Sequence, residues 1–189
     1  MVPHFELSKS GKQDDLSRDY FRSPLREITQ NWSKYRGPAK NGHAPTSTVA
    51  MDWKRLPKAR WSMPCGEGHS SIITSGKRVI TLEQDGNQEV LIARSLDDGR
   101  TLWKVAETTR WQDSMSGIGP RSTPTLHQGK IYTLFSNGRL SCVDAKSGEV
   151  FWNTQILGQD YNFPEWGLSM SPLVWKDRII LNPGGEDSA

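Results

Sequence analysis

The chain has 189 residues, with 24 Lys and Arg against 21 Asp and Glu, and a formal net charge of +3. Leu, Ile, Val and Phe supply 38 residues, near the roughly 20% level at which disorder sets in, but disorder also calls for a high net charge, which this chain lacks. Apolar runs reach only a few residues, well short of the ~18 needed to cross a bilayer, so an integral membrane helix is not expected. Eight Trp, 17 Gly and 11 Pro describe instead a turn-rich β protein anchored by large aromatic side chains.

In chain order, residues 1–60 carry 12 basic and six acidic side chains, while residues 61–189 carry 12 and 15. The basic residues of the first part stand singly among Asp, Ser and Gln, without a dense run or a helical stripe. A nucleic-acid partner would rest on them alone and is not expected. Residues 1–30 read as a flexible polar leader with a short helix near Asp15–Ile28, and residues 31–60 as a lead-in segment. The opening Met1–Asp15 has no apolar stretch of the kind that marks a secretory signal.

From about residue 60 the sequence repeats. The segments that start at Ser70, Ser122 and Met170 align, so that Ser71, Thr123 and Ser171 correspond, as do Val79, Ile131 and Ile179. A second marker runs beside the first: Gly99 and Trp103 recur as Gly148 and Trp152. Each unit consists of short β-branched and aromatic runs, such as Val79–Leu82 and Ile131–Phe135, joined by turns. Asp85-Gly86 and Asn137-Gly138 sit where hairpins should close. About four antiparallel strands in about 50 residues make the blade of a β-propeller. The expected blades are 61–105, 115–154 and 166–189, the last strand of each unit ending in its Trp. Trp103 and Trp152 are assigned to the wedge between neighbouring sheets, with Trp53 and Trp61 on an outer strand ahead of the first full unit.

The unit Asp144–Trp152 resembles the pyrroloquinoline quinone (PQQ)-like β-propeller repeat, found in quinoprotein alcohol dehydrogenases and in propeller scaffolds of the bacterial outer-membrane assembly machinery. Asn31–Pro38 with Asn41-Gly42, Gly119–Pro124 and Trp166–Pro172 resemble a large bacterial subgroup of that family. The resemblance implies an all-β fold, here about two and a half four-stranded blades of a seven- or eight-bladed ring. A ring of that size needs about 350–400 residues at about 50 per blade, so the chain is expected to be an arc of a longer protein. It also implies a periplasmic or otherwise extracytoplasmic location.

Motifs of site chemistry are few. The chain contains no G-x-G-x-x-G after a strand, no P-loop, no H-E-x-x-H and no EF-hand loop. His4, His43, His69 and His127 stand apart without ligand spacing, and no C-x-x-C-H haem motif occurs. Cys142 reads as a small buried hydrophobe, and a Cys65–Cys142 disulfide is left open. Propeller ligands gather at the channel and its crowning loops. Arg121, at the start of an innermost strand, is therefore the candidate cation for an anionic cofactor, with Asp113 and Glu165 beside it; the alternative is that Arg121 pairs with a carboxylate for structure.

Two functions follow from the resemblance. One is a non-catalytic scaffold that offers its loops to protein partners or a small ligand. The other is a fragment of a PQQ-dependent alcohol or sugar oxidoreductase, which would use PQQ with Ca²⁺ and an Asp base. No catalytic or metal-ligating residue is assigned to either. The partners expected are proteins or the remaining blades.

Overall fold

The computed structural model describes residues 31–44, 58–158 and 160–184. The helix expected near Asp15–Ile28 and the outer-strand role of Trp53 lie outside these residues. The first sheet contains β1 (Ile73–Ser75), β2 (Arg78–Asp85), β3 (Gln88–Ser95) and β4 (Thr101–Glu107), antiparallel and in sequential order. A two-residue turn, Gly86-Asn87, joins β2 to β3, so the Asp-Gly signal closes a hairpin as expected. Next comes a small hairpin of β5 (Gln112–Asp113) and β6 (Gly117–Ile118). The second sheet has β7 (Thr125–His127), β8 (Lys130–Leu134), β9 (Arg139–Asp144) and β10 (Val150–Gln155), again in order. The third unit opens with the hairpin of β11 (Leu173–Trp175) and β12 (Arg178–Ile180). These are two four-stranded blades and the start of a third, an all-β partial propeller.

One expected detail changes. The fourth strand of each blade does not end at its Trp but continues to Glu107 and Gln155. The cause is cross-strand pairing: β3 stays matched to β4 as far as Glu89 opposite Glu107, and β9 to β10 as far as Arg139 opposite Gln155. The Trp thus sits near the start of the strand, beside the bulge at its turn.

Alternation along the strands sends side chains to opposite faces, and the faces of adjacent blades bury one another. Ile73, Ile80, Leu82, Leu91 and Trp103 of the first blade meet Leu126, Ile131, Phe135 and Val143 of the second in one cluster. Leu134 and Leu140, on the opposite face of the second blade, pack with Leu157 and Leu168 and are flanked by Phe163, Ile179 and Leu181. The cores therefore lie between the sheets.

Trp103 is the wedge between blades. Its ring lies over Gly148 in the turn of the second blade, where an added Cβ would come within 2.8 Å of the indole. Trp61 lies in the same way over Gly99, and its Nε1–H donates to Leu96 O at 2.9 Å. Both glycines have positive φ, so their turns favour Gly twice over, by conformation and by the aromatic ring above them. Trp61 thus occupies the site of a preceding blade's wedge without belonging to a strand. Trp152, by contrast, is 40% exposed, with Val150 and Phe151 exposed beside it.

Polar groups also fasten blade to blade. Ser71 N–H donates to Thr123 Oγ1, and Thr123 N–H to Ser171 Oγ, each at 3.0 Å, which links the three repeat-equivalent positions in a row. Glu89, fully buried on β3, accepts from both N–H and Oγ–H of Ser136 in the second blade. Burial raises the pKa of its carboxyl, only partly offset by the two Ser136 bonds.

Two outcomes are expected. Trp103→Ala should lower stability by about 3–5 kcal/mol in urea unfolding, and Trp152→Ala by less than half as much, because its ring is only partly covered. Glu89 has a folded-state pKa above its unfolded value of 4.5, so its stabilising contribution is complete below pH 4.5 and fades as pH rises through the higher folded value. Glu89→Gln should remove that decline, so its stability relative to the wild type improves from acidic to neutral pH.

Candidate functional site

Arg121 enters the second blade just ahead of β7 and turns back over the β5–β6 hairpin. Its guanidinium donates to Asp113, to Ser116 Oγ at 2.6 Å, and to the carbonyl oxygens of Gly117 and Gly119. The side chains of Arg121 and Asp113 are each 8% exposed. Asp113 is further held by Ser116 N–H at 2.7 Å, Ser116 Oγ–H and Met115 N–H, and by Trp111 Nε1–H. These bonds, those from Ser116 foremost, hold its carboxyl well below the usual carboxylate range. His69 completes the loop, its Nε2 meeting Ser116 O at 2.8 Å.

Of the three candidate site residues, the fold brings Arg121 and Asp113 together and leaves Glu165 elsewhere. Glu165 is exposed in the Pro164–Gly167 turn, and no ion pair joins it to the others among the described residues. The groups sequence reasoning missed are Ser116 and His69. Their signal is weak, since Asp-x-x-Ser marks a turn in any protein.

The cysteines are both free, Cys65 exposed and Cys142 buried, so the disulfide left open above does not form. Burial pushes the Cys142 thiol above its usual value, as befits an inert core residue. An open cavity of about 240 Å³ lies beside the third unit, lined by Pro164, Trp166, Met170 and Asn182 among others.

A quinone with a divalent cation needs clustered oxygen ligands and a free cationic donor. Among the described residues no three His, Cys, Asp or Glu side chains converge on a metal position. Arg121 has turned both terminal nitrogens to the hairpin and to Gly119 beyond it. The described residues do not fit that cofactor.

The stacked four-stranded sheets, the Trp-on-Gly wedge and the turn signature define a PQQ-like β-propeller repeat protein. A family model described as outer membrane protein assembly factor BamB matches residues 57–181, more than half of the chain, and the chain belongs to that family. No curated protein matches it. The chain is similar in structure to quinohemoprotein alcohol dehydrogenase from Comamonas testosteroni, at 18% identity and a TM-score of 0.60, over 88% of this chain and 25% of that one. It also matches BamB from Moraxella catarrhalis, at 18% identity and a TM-score of 0.48, over 63% of this chain and 35% of that one. At these identities the likeness is one of fold. The chain spans about a third of the BamB structure and a quarter of the dehydrogenase.

Because the Asp113 pKa lies below its unfolded value of 3.8, the stability it supplies is present above pH 3.8 and is lost as pH falls through the lower folded value. Asp113→Asn should be less stable than the wild type at pH 7. The gap should narrow on acidification below pH 3.8, as followed by thermal melts across a pH series.

Proposed function

We propose that this chain is part of a non-catalytic propeller scaffold, extracytoplasmic in location, that binds protein partners or a small ligand through its loops and sheet faces. We assign residues 1–30 to a polar leader, 31–60 to a lead-in and 61–189 to the incomplete propeller. The observation that carries this reading is the state of Arg121. The cation best placed for an anionic cofactor is locked to Asp113, Ser116 and two carbonyl oxygens. Displacing those partners would strip the buried Asp113 carboxylate of its cation, which is costly.

The proposal draws further support from membership of the BamB-like family and from the exposed apolar side chains of β10. Among the described residues no helix is long and apolar enough to cross a membrane. The competing reading is a fragment of a PQQ-dependent alcohol or sugar oxidoreductase, and the structural likeness to the quinohemoprotein dehydrogenase favours keeping it in the test.

The two readings separate in one titration. PQQ with Ca²⁺ is added to the purified chain while quinone absorbance, and dye reduction with alcohols, are followed. The scaffold reading expects no saturable quinone binding and no dye reduction, with Arg121→Ala altering thermal stability alone. Saturable binding that Arg121→Ala abolishes would overturn it.

A further inference from the structure

The innermost strands β1 and β7 are sheet edges, and an edge presents unpaired backbone groups that another chain segment can fill. Here a piece of the lead-in fills them. Thr74 N–H donates to Trp32 O at 2.9 Å, and Trp32 N–H returns a bond to Thr74 Oγ1 at 2.7 Å. One residue further on, Leu126 N–H of the second blade donates to Ser33 O at 2.7 Å. Gly76 N–H donates to Asn31 Oδ1, also at 2.7 Å. Three donors from two blades are thus taken by three consecutive residues.

Thr74 and Leu126 are not arbitrary positions. Thr74 lies opposite Val79, and Leu126 opposite Ile131, so the two correspond in the repeat. Val174, opposite Ile179 on β11, is the third member of the series. The segment leaves before reaching it, because the chain folds back at Lys34–Gly37 with Gly37 N–H bonded to Lys34 O and the Trp32 ring laid over Gly37. Two of the contacts use only main-chain carbonyls; the Asn31 side chain fixes the register on the blade, and the Trp32 ring holds the segment's own fold-back.

We propose that the inner edge of the first two blades is an acceptor site for an extended peptide, loaded in cis by Asn31–Ser33 and open in trans to a peptide of the same pattern. The recognition is main-chain capture: consecutive backbone carbonyls meet edge N–H groups of two neighbouring blades, an Asn side chain anchors the segment on the blade, and an indole folded over Gly37 holds its shape. The cis segment acts as a tethered competitor, and its high effective concentration keeps the site closed to weak ligands. This site is distinct from the β10 face and from Arg121, so its failure and that of the scaffold reading are told apart by separate measurements.

The probe is a fluorescently labelled peptide with the sequence of residues 31–38, titrated against the full chain and against its Asn31→Ala/Trp32→Ala variant. The variant should bind saturably, the wild type at least tenfold more weakly, and a peptide carrying the same two alanines not at all. Equal binding to both chains, or no binding to a folded variant, would overturn the proposal. If the double variant does not fold, hydrogen exchange on the wild type decides. Thr74, Gly76 and Leu126 amides that exchange as slowly as those inside the sheets support it, and exchange at unprotected-peptide rates rejects it.

Discussion

The structure depends on an indole ring resting on a bare turn. A β-sheet blade has two apolar faces and cannot bury either alone; burial comes from stacking one blade on the next. Trp103 on Gly148 sets the distance and angle of that stacking, because a ring of fixed size meets a backbone with no side chain in between. The interblade clusters follow from it. So does the position of the Glu89–Ser136 clip, which needs the second blade's turn to lie within hydrogen-bond reach of a buried carboxylate on the first. Trp61 over Gly99 extends the same contact to the lead-in side of the arc, from a residue that belongs to no strand among the described residues.

Much of this was legible in the sequence. The 3-D equivalence of Ser71, Thr123 and Ser171, and of Val79, Ile131 and Ile179, follows from alignment, because a repeat copies face and register together. Turn chemistry located both hairpins, since Gly86 and Gly138 sit at positive φ as their Asp-Gly and Asn-Gly contexts require. The extension of β4 and β10 past their Trp was not legible, because Lys104–Glu107 and Asn153–Gln155 carry no strand pattern and are held by pairing with β3 and β9. The tie of Trp32 and Ser33 to β1 and β7 was likewise hidden. Bonds made by main-chain carbonyls leave no trace in side-chain identity.

The candidate site was half legible. Arg121 and Asp113 were singled out together and do meet, but the geometry places them in service of the β5–β6 hairpin. Ser116 accounts for much of that outcome, since it donates to the carboxylate and accepts from the guanidinium at once. A charged pair eight residues apart gives no hint whether it faces a ligand or its own loop. Only the count of committed donors decides. Glu165 entered by loop position alone, and position on a loop does not determine direction.

The row formed by Ser71, Thr123 and Ser171 has a consequence for how such a protein can diversify. Each amide reaches forward to the hydroxyl of the following unit, although the spacing is 52 residues in one step and 48 in the next. The hub is therefore indifferent to the length of chain between its contact points. Surplus residues fold into the loops between those points, as the little β5–β6 hairpin between Ser71 and Thr123 illustrates. A propeller built this way can acquire or shed such insertions while its axle keeps the same dimensions.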